Sequence, residues 1–169
     1  VRRLHLKIGI SHAWLRPRLA IVDSTTTLSL PPDVTAASGM DVLCHALESW
    51  TAIPFDAKAR AAEPAKRPAY NGSNPISDVW SLQALRMVAR SLVRAVEDPG
   101  NDEARAEMIL AASYAGVGFG NAGVHLPHGM SYPVSGHVRD YRAPAYAADH
   151  AIVQNRMSVI RDATSVFRF

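Results

Sequence analysis

The segment from Gly39 to Trp50, GMDVLCHALESW, is mostly apolar but carries a carboxylate and an imidazole. Asp41 and His45 are four positions apart, which places both side chains on one face of a helix, about one turn apart. A hard carboxylate and a borderline imidazole that converge on one point suit a divalent metal ion. The alternative is an aspartate near a helix start and a hydrogen-bonded core histidine, and the pair taken alone favours that alternative.

A second segment, GVHLPHGMSY, adds His125 and His128. Their spacing of three also shares a helix face, but Pro127 and Gly129 place His128 at a helix start, where a fixed backbone can aim one imidazole. A helix cap or a core hydrogen bond is the alternative for a single histidine in this position. Two separate histidine motifs in apolar surroundings favour a metal site.

The run GFGNAG at 118–123 matches the GxGxxG fingerprint of dinucleotide-binding loops. That fingerprint requires a strand before the glycines and a helix that begins after them. The preceding AEMILAASYAGV has a helical pattern, so we reject a phosphate-binding loop here. The glycines instead indicate close helix packing or a tight exit from a helix, or they let the backbone approach a cofactor that another domain binds.

Other residues with chemical potential have simpler interpretations. Cys44 is expected to be a buried small hydrophobe rather than a nucleophile, and Trp50 and Trp80 are expected in the core. His137 and His150 have charged neighbours and are expected to be exposed or to lie outside the first ring of ligands.

The elements that must position these side chains are mostly helices. The run RLAIVD at 18–23 is typical of a buried strand. Asp33 or Thr35 can cap a helix that runs through the Asp/His pair to about residue 50. The proline-rich residues 51–75 then predict a long irregular loop, which in a compact domain is usually functional or disordered.

Two longer helices and a shorter one should follow. Ser77 or Asp78 can cap the first, which runs to about Glu97 with apolar residues on one face and arginines on the other. Asn101 is a good N-cap for the next, a nearly all-apolar helix to about Gly120 that should be central and buried. The segment with the two histidines leads into the shorter helix.

Composition restricts the class of protein. The 169 residues are 48% hydrophobic and 20% charged, with a net charge of +3 and a pI of about 9.3. This is enough chain for a domain with a sizeable core. The arginines are scattered, so nucleic-acid binding is not expected, and no stretch has the length of a membrane span. The single cysteine excludes an internal disulfide and is consistent with a reducing compartment.

Residues 20–48 resemble the signature of the iron-containing alcohol dehydrogenases. The pattern here is AIVD, seven residues, Pro31, then AASGMD, VL and, four residues on, Glu48. The run GFGNAGVHLPHGMSYPVSG resembles the second signature of that family. Two segments, RPAYNGSNPISDVW and PHGMSYPVSG, are most similar to one branch, the hydroxyacid-oxoacid transhydrogenases.

The resemblance implies a mainly α structure, the helical metal-binding domain of the dehydroquinate synthase-like/iron-containing alcohol dehydrogenase fold. In that family an N-terminal α/β domain binds NAD(P) and a C-terminal helical domain holds a divalent metal. Residues 1–30 would be the end of the first domain and 31–169 the front part of the second. We therefore expect the chain to be a fragment of a longer protein, with the phosphate-binding loop outside it.

The resemblance also implies a site for Fe²⁺ or Zn²⁺. Three positions match family metal ligands, namely Asp41, His45 and His128. The fourth ligand is normally a histidine, but Asn155, a poor ligand, stands there and Arg156 adds a positive charge. Tyr132 stands where many relatives have a second, non-ligand histidine near the substrate, which makes it the candidate catalytic residue.

The implied activity is that of a metal-dependent, NAD-linked alcohol or hydroxyacid dehydrogenase that acts on small molecules. In the transhydrogenase branch, 4-hydroxybutyrate and 2-oxoglutarate give succinate semialdehyde and 2-hydroxyglutarate. The expected location is cytoplasmic, or mitochondrial in a eukaryote, and the protein could form a homo-oligomer.

This chain alone should be inactive. The alternatives are a degenerate, non-catalytic helical relative with weak or no metal binding, and a small stand-alone metal-binding helical protein.

Overall fold

A computed structural model describes residues 9–10, 13–15 and 17–138. Within these ranges the chain forms four α-helices: α1 (Pro32–Thr51), α2 (Pro75–Glu97), α3 (Asp102–Ala122) and α4 (Leu126–His137). Short 3-10 turns occupy Ala13–Leu15, Ser24–Thr27 and Pro64–Lys66. The predicted mainly α class is confirmed. None of the helices in the described ranges has the length and apolar character needed to cross a bilayer.

Helices α1, α2 and α3 pack on one another as a bundle, and α4 rests on α1. Small side chains fill the inside of this bundle, and the fully buried ones include Ala46, Ala84, Ala111, Ala115, Ser49 and Ser81. The Ser81 hydroxyl donates to the Ser49 hydroxyl over 2.8 Å, which joins α2 to α1 inside the core. Small residues allow the helix axes to approach closely, so the three helices form a rigid base for the site.

The helices begin with a side-chain cap from asparagine, with a proline in the first turn, or with both. Asn101 caps α3, as predicted, because its side chain accepts a hydrogen bond from the Ala104 amide over 2.9 Å. The predicted caps of α1 and α2 are wrong. Pro31 precedes α1 without a side-chain cap, and Asn74 caps α2 by accepting from the Ser77 amide. In both helices a proline fills the first position, where no amide hydrogen is needed.

The predicted strand at 18–23 is wrong. Residues 19–23 belong to no helix or strand, and Leu19 and Ile21 are 77% and 87% exposed. A strand exists only where a neighbour completes its hydrogen-bond ladder, and the described residues supply no such neighbour. Trp50 is also not a core residue, since 46% of it is exposed at the end of α1.

Residues 52–74 form the predicted irregular loop. Its two ends, at residues 53–55 and 72–73, are joined by hydrogen bonds, and we call this joined base the neck of the loop. A single bridge joins Pro54 and Ser73, with the Phe55 amide donating to the Ser73 carbonyl over 3.0 Å. The backbone of Gly72, at φ +94°, donates to the Ala122 carbonyl at the end of α3 over 3.0 Å. A side chain at Gly72 would meet the Ile53 carbonyl at 2.0 Å, so only glycine fits there.

The segment before α1 is tied down by Arg105, which is buried in α3. Its guanidinium donates to the carbonyls of Thr27 and Leu30 on this segment and to that of Pro99 before α3. The extended Asp23 caps the turn at Ser24–Thr27 by accepting from the Thr25 amide. One buried cation therefore fixes the path by which the chain enters α1.

Candidate metal centre

One face of α1 carries three of the polar side chains of the site. Asp41, His45 and Glu48 lie at positions i, i+4 and i+7, a spacing that aligns side chains along a helix. Asp41 and His45 are 32% and 21% exposed, whereas the Glu48 side chain is 2% exposed. The row thus runs from a partly open carboxylate to a fully buried one.

Helix α4 brings a second imidazole to this face. Gly123 ends α3 at φ +95°, and the chain turns so that α4 begins at Leu126. Pro127 occupies one of the first two helical positions, and His128 follows it. His128 therefore projects from the first turn of α4, as the sequence predicts, and lies against α1.

The structure brings Asp41, His45 and His128 together. The Asp41 carboxylate lies between the two imidazoles, with Oδ2 3.7 Å from Nδ1 of His45 and Oδ1 3.5 Å from Nε2 of His128. One ligand atom from each residue can be chosen so that all three lie within 4.8 Å of one another. A carboxylate oxygen and two imidazole nitrogens thus converge on one partly buried point.

The His45 ring lies close to two other rings. It stacks on Phe119 of α3, with ring centroids 4.2 Å apart and an interplanar angle of 15°. The His128 ring lies 4.5 Å from it, tilted by 33°. The aromatic wall of Phe119 restricts the rotamers of His45, so this imidazole is positioned before any ligand arrives.

Glu48 connects the two halves of the site through hydrogen bonds. One carboxylate oxygen lies 2.6 Å from Nδ1 of His128, within hydrogen-bond distance, and the other accepts from the His125 amide over 2.6 Å. Burial raises the pKa of Glu48, but the hydrogen bonds from His128 and His125 lower it more, so the net pKa lies below the ordinary value. These hydrogen bonds therefore favour the ionised form of Glu48 despite its burial.

His128 lies between two carboxylates, and its pKa reflects that. Burial lowers the pKa of His128, but Asp41 at Nε2 and Glu48 at Nδ1 together raise it to about 9. The site therefore favours a positive charge at this point. A proton supplies that charge in the absence of any other cation.

The donor set fits a divalent metal ion of the iron or zinc type. Bonds of about 2.0–2.2 Å would place tetrahedral ligand atoms roughly 3.3–3.6 Å apart. The two measured Asp–His separations of 3.5 and 3.7 Å are close to that range. Mixed carboxylate and imidazole ligands suit borderline cations better than the all-oxygen sets of calcium or magnesium.

Of the other residues considered for the site, Tyr132 and His137 lie on α4. Tyr132 lies one turn after His128 on α4 and is 38% exposed, and its hydroxyl lies beside the backbone of Gly9. His137 is exposed at the end of α4, as expected. His150, Asn155 and Arg156 lie outside the described residues.

The free Cys44 is buried, as predicted, and does not have the properties of a nucleophile. Burial, with smaller contributions from the charges of Glu48 and Asp41, raises the pKa of its thiol to about 12. The thiol therefore stays protonated at neutral pH.

The glycine run at 118–123 serves packing, which agrees with the rejection of a phosphate-binding loop. Its first five residues are the end of α3, and no strand precedes them. A Cβ at Gly118 would lie 2.2 Å from the Ser81 hydroxyl, so this glycine permits the close contact of α3 with α2. Gly123 provides the tight exit from the helix, with Tyr70 packed against it.

Glu48 is the residue of this site that sequence reasoning missed. In the sequence Glu48 stands out only as the last position of a signature, although its spacing from Asp41 and His45 places it on the same helix face. The contacts that give it a role come from residues 77 and 80 positions away. No local pattern encodes such a contact.

Comparison with known proteins identifies similar domains. Residues 69–157 match the model of the Fe-containing alcohol dehydrogenase family, C-terminal domain. A mitochondrial hydroxyacid-oxoacid transhydrogenase of Xenopus laevis is 54% identical over 167 residues, which are 98% of this chain and 36% of that protein. The chain thus spans about a third of the length of such relatives.

Solved structures with the same helical arrangement include an archaeal halo-thermophilic alcohol dehydrogenase from a Red Sea brine pool. It aligns with a TM-score of 0.65 and 31% identity over 82% of this chain and 30% of its own length. A sulfoacetaldehyde reductase of Bifidobacterium kashiwanohense, solved in complex with NAD⁺, aligns with a TM-score of 0.57 and 26% identity over 88% of this chain and 41% of its own.

Proposed function

Because this chain belongs to the iron-containing alcohol dehydrogenase family of oxidoreductases, we propose that Asp41, His45 and His128 bind the divalent metal of such an enzyme. We further propose that the whole protein is a hydroxyacid-oxoacid transhydrogenase, the activity named for relatives 52–54% identical to it. The substrates would be 4-hydroxybutyrate and 2-oxoglutarate, and the products succinate semialdehyde and 2-hydroxyglutarate.

One observation carries this proposal, namely the convergence of a carboxylate oxygen and two imidazole nitrogens within 4.8 Å. The three residues come from two helices that are far apart in sequence, and the carboxylate of Asp41 lies within 4 Å of a nitrogen of each histidine. His128 is 15% exposed and His45 21%, so neither imidazole is fully closed off from a small molecule that approaches the site.

When bound, the metal would act as a Lewis acid toward the alcohol or carbonyl oxygen of the substrate. The chain's own residues set the conditions for this. Asp41 supplies a negative charge between the two imidazoles, and Phe119 fixes the His45 ring. Tyr132, one turn after His128, is proposed to lie beside the substrate, where its hydroxyl can donate a hydrogen bond.

The hydride carrier would be NAD(H), bound mainly by residues outside this chain. We propose that residues 1–30 end an N-terminal cofactor domain and that 31–169 form the front part of the helical metal domain. The cellular location proposed is the cytoplasm, or the mitochondrion in a eukaryotic cell, since the transhydrogenase relatives carry "mitochondrial" in their names.

The metal proposal is tested by titrating the purified chain with Zn²⁺ and, without oxygen, with Fe²⁺ in the presence of a chromophoric chelator. Asp41→Asn should weaken binding at least about tenfold, because it replaces a charged ligand by a neutral amide. Asp56→Asn, the same change in the exposed loop, is the matched control and should bind as the wild type does. Equal affinity of wild type and Asp41→Asn would rule out this site and favour the alternative of a non-catalytic helical relative.

A further inference from the structure

We propose that Glu48 is a positioning residue that fixes the ring and the tautomer of His128, so that Nε2 presents its lone pair to the metal. The inference rests on the proposed metal site. It assigns a role to a residue that is not itself within the three-residue ligand cluster.

The first argument is the direction of the hydrogen bonds. One oxygen of Glu48 accepts from the His125 amide at the start of α4, where a carboxylate acceptor is favoured. The other oxygen lies 2.6 Å from Nδ1 of His128, so in this arrangement Nδ1 is the nitrogen that donates. A neutral imidazole has one protonated nitrogen, which leaves Nε2 as the free donor of an electron pair. Nε2 is the atom that faces Asp41 at 3.5 Å. The buried carboxylate therefore selects the tautomer that a metal requires at this position.

The second argument is that the same carboxylate holds the start of α4. His125 precedes this helix without a side-chain cap of its own. The other oxygen of Glu48 accepts from the His125 amide over 2.6 Å and lies 3.5 Å from the His128 amide. Glu48 thus acts as an N-cap supplied by another helix, at the end where a negative charge is favourable. It fixes both the backbone that carries His128 and the ring itself.

The third argument is burial. Glu48 is 1% exposed, so its carboxylate has no access to alternative partners in solvent. Its two oxygens lie near three nitrogens, namely the backbone amides of His125 and His128 and Nδ1 of the His128 ring. A carboxylate has two oxygens that can accept from these groups, whereas the amide of a glutamine has only one. A glutamine of the same shape would therefore place an NH₂ group against either the His128 ring or the His125 amide.

The experiment compares Glu48→Gln and Glu48→Asp with the wild type, and uses Glu63→Gln in the exposed loop as the matched control. Zn²⁺ affinity is measured by chelator competition, and folding by urea unfolding. We expect Glu48→Gln to bind about 10–100-fold more weakly and Glu63→Gln to match the wild type. Glu48→Asp keeps the charge but withdraws the carboxylate, so it should also lose affinity. Wild-type affinity in either Glu48 variant would overturn the proposal.

A second measurement needs no variant and no metal. Long-range ¹⁵N–¹H correlation spectra of the metal-free wild type, recorded as a pH series that extends until the ring is neutral, report which nitrogen carries the proton. A dominant Nδ1–H form supports the proposal, and a dominant Nε2–H form overturns it. A chain that shows the Nδ1–H form but binds no Zn²⁺ would refute the proposed metal site alone and would still support the orienting contact of Glu48.

Discussion

Gly118→Ala should destabilise the bundle, although alanine is the better helix former. Gly118 is buried in α3, and a Cβ there would lie 2.2 Å from the Ser81 hydroxyl and 3.3 Å from the Ser49 hydroxyl. The first of these distances is well below the 3.4 Å at which ordinary contact begins. Both serines are fully buried and bonded to each other, so neither hydroxyl can rotate away without losing its partner.

The magnitude follows from two opposing effects. Overpacking a core position destabilises by about 1–3 kcal/mol, while replacing a glycine inside a helix stabilises by about 0.5–1 kcal/mol. The net loss should be roughly 1–2 kcal/mol. Gly116→Ala is the matched control in the same helix, because a Cβ there meets nothing within 4 Å. It should be neutral or stabilising by up to about 1 kcal/mol.

Urea unfolding followed by circular dichroism measures both variants. With a slope of about 2 kcal/mol per molar, the Gly118→Ala midpoint should fall by about 0.5–1 M, and that of Gly116→Ala should stay or rise. Zn²⁺ affinity should fall with the first variant alone, because Gly118 precedes Phe119, whose ring supports His45. A Gly118→Ala midpoint equal to or above that of Gly116→Ala would refute the packing argument.

Further outcomes are expected elsewhere in the chain. Arg105→Met should destabilise by about 3 kcal/mol in the same urea assay, because three carbonyls lose their charged donor. Hydrogen bonds from an arginine and a serine of α2 hold the pKa of Glu107 below its ordinary value of 4.5. Its stabilisation is thus present above pH 4.5 and lost as the pH falls through the lowered pKa, so the midpoint difference between wild type and Glu107→Gln should shrink in acid. The chain alone should form no NADH from 4-hydroxybutyrate, since residues 17–138 contain no glycine-rich turn between a strand and a helix for the dinucleotide phosphates; measurable NADH would contradict this. Converting Asn155 to His and Arg156 to Gly should raise Zn²⁺ affinity in a chelator titration without producing turnover.

Helix positions were predictable where the signal is local. Asn101 followed by two acidic residues identifies the start of α3, and its cap is found there. Asn74 was missed because several polar residues near Pro75 could serve equally well as caps, and only the fold decides between them. The strand at 18–23 and the burial of Trp50 failed for a different reason. Both depend on a neighbouring surface, which a local pattern cannot supply.

The site, like the helices, was predictable only where the signal is local. The pairing of Asp41 with His45 follows from helix geometry, and the placement of His128 at a helix start follows from Pro127. The meeting of the α1 segment with the segment of His128 depends on the turn at Gly123 and on the close packing of α1 with α3. Both are features of the tertiary structure. Glu48 illustrates the limit, because its partners lie far away in the sequence.

The closed neck of the loop at 52–74 separates its length from the chemistry of the site. The Pro54–Ser73 bridge and the bond from Gly72 to the end of α3 hold the base of the loop, while most of the residues between them are exposed. Doubling the length of a loop adds only about 0.6 kcal/mol to its closure entropy. Insertions and deletions within the mostly exposed residues 59–69, before Tyr70 and its contact with Gly123, would therefore leave α1, α2 and the metal-binding face undisturbed. This loop is where proteins built on this domain can diverge in length and acquire new surface contacts without risk to the chemistry.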